Sequence, residues 1–259
     1  MSFNLKVQPE VINSSSLIKT VTPQMLLVCC WRTMKEISLF FGDLVKNMPL
    51  ENESSSLNIL TTYQVDKIGE YFVKHLFETR HRGAFELAYI GFTCMCETFW
   101  RCNSNMYCEQ PTKWLNYVLE LIQTEESRSK LFSTRRGGGL PFYVQAIVST
   151  ELCENGRKSL ADSMKVLLKL AEKTFDKDED NFSKVLSMYI LSALFKDTRI
   201  GEDVLQYAEK AMILAINGFD SVFWNVRNSS TLLFSSLINR IFGTNRSKDG
   251  ISKKNRFIM

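Results

Sequence analysis

The stretch TPQMLLVCCWRTMKEISLFFGDLV, residues 22–45, indicates the fold class of the chain. Its apolar residues recur every three or four positions, which is the spacing of one face of an α-helix. Thr22 and Pro23 precede the pattern and supply an N-cap and a first-turn proline. The predicted apolar face consists of Leu27, Cys30, Met34, Ile37, Phe41, Leu44 and Val45.

The same spacing continues along the rest of the chain. No stretch alternates apolar and polar residues in the pattern of a half-buried strand. The 5 Pro and 12 Gly also disfavour a turn-rich all-β fold. The sequence therefore predicts an all-α protein with about nine helices. Further apolar stripes run through residues 85–99, 115–122, 164–171, 182–193, 204–215 and 223–241.

Short polar connections join the predicted helices. Glu51–Ser56 indicates a loop and Asp176–Asp180 a charged turn, and no Gly/Ser-rich or Pro-rich linker separates domains. Consecutive helices of this kind favour an α-solenoid of HEAT- or armadillo-like repeats, with helix pairs of about 40–47 residues. We predict a flexible segment over residues 1–21, one helical domain over 22–243 and a basic tail over 244–259.

The net charge of +4 lies in this tail. After Gly243 the chain carries five basic residues and one acidic residue, so the remainder is neutral. A neutral body has no general basic field that would attract nucleic acid. Contact with RNA would therefore depend on local groups of arginines.

The compartment predicted from the sequence is the cytosol or the nucleus. Residues 1–10 contain no basic segment followed by an apolar stretch, so no signal peptide is indicated. The apolar run Met25–Trp31 is too short to span a bilayer. Seven cysteines, an odd number, occur in a chain long enough to fold without disulfides, which favours reduced thiols.

Three segments place arginines where an apolar helix is predicted to begin. Arg82 and Arg136 are 54 residues apart, and Arg136 and Arg227 are 91 apart, which is close to two repeat lengths. In a solenoid such positions can line up along one edge. The five arginines are Arg80, Arg82, Arg135, Arg136 and Arg227.

An arginine at a helix N-terminus opposes the helix dipole and requires compensation. One interpretation is a structural salt bridge between repeats, for example to Glu78 or Glu86. The other is an edge where an anion or a partner binds both the guanidinium and the exposed N–H groups. The sequence leaves both interpretations open.

The run Gly137-Gly138-Gly139 precedes Leu140-Pro141. It lacks the GxxxxGK[ST] spacing and follows no strand, which argues against a nucleotide-binding loop. We expect the glycines to let the backbone turn sharply and approach a neighbour closely. Pro141 is then expected in the first turn of the next helix.

Neither a metal site nor an enzyme is predicted. Cys94 and Cys96 fall on different faces of one helix and no CxxC pair accompanies them, so buried free thiols are favoured over zinc. Only two histidines occur, and no GxSxG or Cys–His pattern is present. The cysteines considered as zinc ligands are Cys94, Cys96, Cys102 and Cys108.

Several unusual strings carry a resemblance to a known family. Over about residues 20–255 the chain resembles the thyroid adenoma-associated protein (THADA) family. That family's arginine signature typically reads Arg-Arg-Ser-Ala-Gly-Leu-Pro, whereas Gly137 and Gly138 here replace the Ser and the Ala. The strings are Thr22–Arg32, Arg80–Glu86, Thr134–Arg136 with Gly139–Phe142, Val226–Thr231 and Arg240–Gly243.

The resemblance implies a non-catalytic scaffold or regulatory subunit. Members of the family are large cytosolic α-helical repeat proteins that partner an FtsJ-type tRNA ribose methyltransferase and act with it on nucleotide 32 of the anticodon loop. It implies that S-adenosylmethionine and the catalytic residues belong to the partner, so this chain is expected to hold no cofactor. The five arginines would then contact the partner or phosphates of the anticodon stem-loop.

Two further expectations accompany the resemblance. Family members are several times longer, so the chain is expected to be an excerpt of a longer array, with residues 244–259 as a truncated continuation. The alternative function is a general protein-interaction solenoid with no RNA role. An enzyme in its own right is disfavoured by the missing motifs.

Overall fold

The computed structural model describes residues 22–51, 60–79, 82–102, 104–124, 138–173 and 181–243. Within these ranges it contains nine α-helices of ten or more residues, a helical turn at Asn105–Cys108 and three short 3-10 turns, and no β-strand. The all-α prediction is confirmed. The helices are α1 (Pro23–Asn47), α2 (Thr62–Glu78), α3 (Arg82–Trp100), α4 (Gln110–Gln123), α5 (Leu140–Thr150), α6 (Lys158–Glu172), α7 (Phe182–Lys196), α8 (Ala208–Asn217) and α9 (Trp224–Phe242).

Local sequence defines where the first two helices begin. The Thr22 side chain accepts a hydrogen bond from the Met25 N–H at 3.3 Å, and a proline occupies the first turn of α1, as predicted. Thr61 and Gln64 form a reciprocal capping box at the start of α2. Such caps satisfy N–H groups that a helix leaves unpaired.

The helices form two layers in which alternate helices are neighbours. We call α1, α3, α5, α7 and α9 the odd layer, because each packs against the next in that order. Helices α2, α4, α6 and α8, the even layer, lie against them. This alternation is the arrangement of an α-solenoid, which confirms the predicted architecture.

Helices of the odd layer run in the same direction. Near the starts of α7 and α9, the Asn225 amide donates to Asn181 at 2.6 Å. Near their ends, the Arg240 guanidinium donates to the Phe195 carbonyl at 2.7 Å. The starts of α7 and α9 therefore lie along one edge of the layer and their ends along the other.

Helices α3 and α5 are parallel in the same way. Near their starts the Phe85 and Phe142 rings lie 5.5 Å apart, and near their ends the Trp100 indole donates to the Ile147 carbonyl at 3.2 Å.

Helices α1 and α3 approach until their backbones touch. A Cβ added at Gly42 would lie 2.7 Å from the Gly91 Cα, and a Cβ added at Gly91 would meet the Ser38 carbonyl oxygen and the Phe72 ring. The Ser38 hydroxyl lies beside this crossing and is hydrogen-bonded to the Tyr71 hydroxyl at 2.9 Å. Only residues without bulk fit at this crossing.

Aromatic side chains join both layers in the core. The Phe92 ring on α3 lies 5.8 Å from Phe72 on α2, 5.5 Å from Trp114 on α4 and 4.7 Å from Tyr143 on α5. Offset and tilted ring pairs at these distances stabilise a core beyond their buried area. These aromatic residues pack in the core as expected.

Two predicted stripes differ from the structure. In the stripe predicted for α1, Leu27 is 55% exposed. The buried residues of α1 all lie in the second half of that helix, so the described residues do not cover the first half of the stripe. Val204 is buried but precedes α8, which begins at Ala208 after the 3-10 turn Leu205–Tyr207. The Val204 N–H instead closes a turn on the Ile200 carbonyl at 3.1 Å.

Four predicted segments cannot be compared with the structure. Residues 52–59, which include most of the predicted loop, and 174–180, which include the charged turn, lie outside the described ranges. The same holds for residues 1–21 and 244–259. The boundaries proposed for the helical domain therefore stay predictions.

We expect Gly91→Ala to lower the free energy of unfolding by about 3 kcal/mol, because the added methyl group forces α1 and α3 apart. Without this contact, replacing a helical glycine by alanine would raise the free energy of unfolding by about 1 kcal/mol, because alanine has the higher helix propensity. Gly156→Ala is the control, since no atom lies within 4 Å of an added Cβ there. Its positive φ should cost only about 1 kcal/mol. Urea unfolding checks both variants, and a stabilising Gly91→Ala would contradict the backbone contact.

Candidate functional site

The edge where the odd-layer helices begin contains two of the five predicted arginine positions. We call the starts of α3, α5, α7 and α9 the N-terminal edge. Arg82 is the first residue of α3, and Arg227 lies in the first turn of α9. Because the odd helices are parallel, the two positions share this edge. Four of the predicted site residues lie outside the described ranges: Arg80, Arg135, Arg136 and Gly137.

The predicted glycine turn packs against the end of α2. The Gly139 N–H donates to the Leu76 carbonyl at 3.0 Å, and a Cβ on Gly139 would lie 2.5 Å from the same oxygen. Gly138 has φ 56°, and Pro141 lies in the first turn of α5. The described part of the run thus turns at Gly138 and approaches α2 closely at Gly139. This contact brings Leu76, four residues before Arg80, against Gly139, three residues after Arg136.

Arg227 uses a partner that neither sequence interpretation included. Its guanidinium donates to the carbonyl oxygens of Ser221 at 2.7 Å and Val222 at 3.1 Å, in the turn that precedes α9. The guanidinium therefore lies beside the start of its own helix, and the two carbonyl oxygens compensate its charge near the positive end of the helix dipole. A guanidinium has five N–H donors, so exposed Arg227 retains donors for a further partner.

The N-terminal edge attracts anions. No acidic residue lies in the first turn of α3, α5, α7 or α9. The N-cap residues of α5, α7 and α9 make no side-chain capping hydrogen bond, although the Asn225 side chain accepts from the Val226 N–H in the first turn of α9 at 3.0 Å. Helix N-termini carry partial positive charge and N–H groups without helical partners, so they favour phosphate or carboxylate. Gly139 and Asn181 are buried, whereas Trp224 and Arg227 are exposed, so α9 offers the more accessible start.

The string Val226–Thr231 packs α9 against its neighbours. Ser229 and Ser230 are fully buried, and their hydroxyls lie 3.3 Å and 3.4 Å from the Met188 sulfur on α7. The Ser230 side chain also lies directly against Gly218. These two serines therefore serve close packing and not ligand contact.

A charged network at the opposite edge was missing from the predictions. The buried Asp197 carboxylate, just after α7, accepts hydrogen bonds from Gln145 on α5 and from the Arg199 N–H, both at 2.8 Å. Arg199 forms an ion pair with Glu97 on α3 at 3.2 Å. The network ties the ends of three odd-layer helices together.

Two arginines close helix ends at this second edge. Arg240 donates to the carbonyls of Phe195 and Asp197 at 2.7 Å and 2.5 Å. Arg157 donates to the Glu151 carbonyl at 2.5 Å and forms an ion pair with Asp203 at 3.2 Å. Cations are stabilised at helix C-termini by the macrodipole. The sequence alone does not predict that arginines close these helix ends. In it, Arg240 stands out only as part of the string Arg240–Gly243, which resembles the family.

The two thiols within α3 are protected from reaction, whereas Cys29, Cys30 and Cys153 are exposed. Burial raises the pKa of the Cys96 thiol well above its usual value, and burial and the charge of Glu97 raise the pKa of Cys94. Neither thiol is therefore an activated nucleophile. Within the described ranges, no cluster of three or more His, Cys, Asp or Glu residues could hold a metal ion. No helix there is long and apolar enough to cross a membrane.

His75 lies in the last turn of α2, next to the glycine turn. Burial lowers its pKa, and the charge of Lys74 lowers the pKa further. The ring lies 4.2 Å from the Tyr71 ring, and its Nδ1 lies 3.1 Å from the Thr79 hydroxyl. The folded protein therefore favours the neutral imidazole.

The fold is that of the helical-repeat proteins, and comparison with known proteins gives the family. A family model described as THADA/TRM732, DUF2428 matches residues 4–225, and a model for the C-terminal TPR repeats of Trm732 matches residues 227–259. The chain belongs to the THADA/TRM732 family.

Relatives in animals and yeast carry related names. The chain is 47% identical over 248 residues to the tRNA (32-2'-O)-methyltransferase regulator THADA of Gallus gallus, covering 95% of this chain and 13% of that protein. The Homo sapiens protein of that name is 45% identical over 254 residues, 98% of this chain and 13% of its own length. The regulator trm732 of Schizosaccharomyces pombe is 31% identical over 246 residues, 93% of this chain and 16% of its own length. No solved structure matches the chain.

We expect Gly139→Ala to lower the free energy of unfolding by about 2 kcal/mol, because the methyl group must displace the Leu76 carbonyl. Gly156→Ala is the control, since an added Cβ there meets no atom within 4 Å. Its expected loss is about 1 kcal/mol, from the positive φ alone. Chemical denaturation checks both variants, and equal losses would contradict a steric role for Gly139.

The folded pKa of His75 lies below the unfolded value of 6.5, so the unfolded chain binds a proton first as pH falls. The stability contributed by neutral His75 is present above pH 6.5 and is lost as pH falls through that value. Between pH 7.5 and pH 5.5, we expect the melting temperature of the wild-type protein to fall by more than that of the His75→Gln variant. The two pH values lie about one unit above and below the unfolded pKa. Parallel pH profiles for the two proteins would contradict this assignment.

Proposed function

We propose that this chain forms part of a cytosolic, non-catalytic regulator of a tRNA 2'-O-ribose methyltransferase that acts on nucleotide 32 of the anticodon loop. The observation that carries the proposal is the similarity along nearly the whole chain to proteins named as regulators of that methyltransferase. The chain spans about 13% of the length of these relatives. The proposed partner is an FtsJ-type enzyme that binds S-adenosylmethionine itself.

The proposed role is to hold the methyltransferase and the anticodon stem-loop in a productive orientation. A rigid scaffold can raise a rate by fixing two reactants in the required geometry. The parallel odd-layer helices supply such a scaffold, and the N-terminal edge supplies groups that favour anions. In this proposal Arg80, Arg82, Arg135, Arg136 and Arg227 contact acidic side chains of the enzyme or phosphates of the tRNA.

The assignment of catalysis to the partner is supported by the side chains of the described residues. The buried carboxylates of Asp197 and Glu151 accept structural hydrogen bonds, the latter from the Ser159 N–H at 3.0 Å. The Cys96 thiol is buried. A general base or nucleophile must reach its substrate, and these groups face other parts of the protein.

A protein-interaction solenoid without an RNA role is the second candidate. It is favoured by the neutral charge of residues 1–243, since proteins that bind nucleic acid through phosphates usually present a basic surface. Salt separates the two candidates. Phosphate contacts make affinity fall steeply with ionic strength, whereas an apolar protein interface is less sensitive.

We expect Arg135→Ala with Arg136→Ala to reduce co-purification of the methyltransferase about tenfold, which corresponds to about 1.4 kcal/mol of binding free energy. Ribose methylation of nucleotide 32, mapped in cells that express the variant as their only copy of the protein, should fall with it. Arg101→Ala, at an exposed arginine just after α3, is the control. Unchanged methylation and unchanged co-purification in the double variant would contradict the proposed contact.

A separate measurement distinguishes tRNA from protein at Arg227. If this side chain contacts phosphate in the assembled complex, Arg227→Ala should reduce the slope of log affinity for tRNA against log salt by about one. Circular dichroism should show that α9 still forms, since the carbonyls of Ser221 and Val222 become accessible to water. An unchanged slope would assign Arg227 to its structural hydrogen bonds alone.

A further inference from the structure

Helix α8 exposes two isoleucines on a side that the described residues do not cover. Ala208, Ala211 and Ala215 are buried against the core. Ile213 and Ile216, on another face, are 52% and 50% exposed. Two large apolar side chains less than one turn apart form an exposed apolar patch, and such patches mark places where another element packs. We therefore expect a further element of the repeat array to cover these two isoleucines.

The position of this side within the even layer indicates where that element lies. Helix α6 contacts α4 on one side and α8 on the other, whereas α8 is the last described helix of the layer. The ion pair between Lys210 and Glu172 at 2.7 Å marks the side of α8 that faces α6. At about 100° per residue, Ile216 points roughly 120° away from Lys210. Ile216 thus faces the place where the next even-layer helix would pack.

Acidic residues accompany the exposed isoleucines. Glu209 is four residues before Ile213 and falls on the same helix face. Asp220 lies in the 3-10 turn that follows α8, four residues after Ile216. Both carboxylates are exposed. We call Glu209, Ile213, Ile216 and Asp220 the α8 face; it is apolar in the middle and acidic at both ends.

The segment that follows α9 has the complementary composition. Residues 244–259 carry five basic side chains against one acidic side chain, together with Ile251, Phe257, Ile258 and Met259. The family model for C-terminal TPR repeats spans residues 227–259, and so runs from α9 into this segment without a break. Such repeats are pairs of packed helices, in which each helix packs against its neighbours.

We propose that residues 244–259 pack against the α8 face as the next element of the even layer. The isoleucines bury apolar side chains of the segment, and Glu209 and Asp220 attract its lysines and arginines. This inference does not depend on the methyltransferase or on tRNA. The basic residues that give the chain its net charge would then bind to another part of the same chain.

Zero-length carbodiimide cross-linking of the full chain tests the proposal, because the reagent joins a lysine amine only to a carboxylate in contact with it. We expect links from Lys253 or Lys254 to Glu209 or Asp220, identified by mass spectrometry. A mixture of 14N- and 15N-labelled chains separates links within one molecule from links between two. Links between two molecules would assign the α8 face to a second copy and overturn the proposal.

Ile213→Asn with Ile216→Asn should reduce these links about fivefold or more, because burying an unpaired amide against apolar side chains of the segment is unfavourable. Ile90→Asn is the matched control, since Ile90 is 45% exposed on α3 and should leave the links unchanged. Unchanged links in the double variant, or no links in the wild-type chain, would overturn the proposal.

If the double variant loses helical content, Glu209→Lys with Asp220→Lys replaces it, because both residues are exposed. Its readout is amide hydrogen exchange of residues 246–259 in the full chain, which should be about tenfold faster than in the wild type. Equal exchange rates, or protection of this segment only when RNA is added, would overturn the proposal.

Discussion

The structure depends on how closely the odd-layer helices approach one another. At the crossing of α1 and α3 the backbones of Gly42 and Gly91 touch, and a side chain on either would force the helices apart. At the other end of the layer the hydroxyls of Ser192 and Ser236 meet at 2.6 Å between α7 and α9. Interiors are close-packed, so small residues at these crossings set the distance between helices. Parallel neighbours at this distance place all their starts on one edge.

Parallel packing has an electrostatic consequence, because partial charges of one sign accumulate at each edge. At the edge where the helices end, arginines of the chain itself supply the compensation, as Arg240 does for the carbonyls that follow α7. At the N-terminal edge, the first turns of α3, α5, α7 and α9 contain no acidic residue. The starts of α5 and α7 are buried, so the exposed start of α9, where Arg227 lies, is the candidate surface at this edge for an anionic partner.

Sequence periodicity predicted the helices because each apolar stripe is a local property. The stripes of α3, α4 and α6 are buried as expected, and the glycine run predicted a close approach that occurs at Gly139. The partner of Gly139 could not be predicted, since Leu76 is 63 residues earlier in the chain. The bond between Gln145 and Asp197 likewise spans 52 residues. Leu27 was misjudged because periodicity identifies an apolar face without showing what covers it.

The location of the charge bears on how an RNA-linked function could work. If the basic segment 244–259 neutralises Glu209 and Asp220, its charge is not available as a general attraction for tRNA. The remaining body is neutral, so any preference for anions must arise from the geometry of the N-terminal edge, where helix N-termini and arginines coincide. Such a surface is short-ranged, because exposed charges are screened beyond about 10 Å at ordinary salt. It would therefore act on a tRNA already held by the methyltransferase, which is the behaviour of a regulator that positions a substrate.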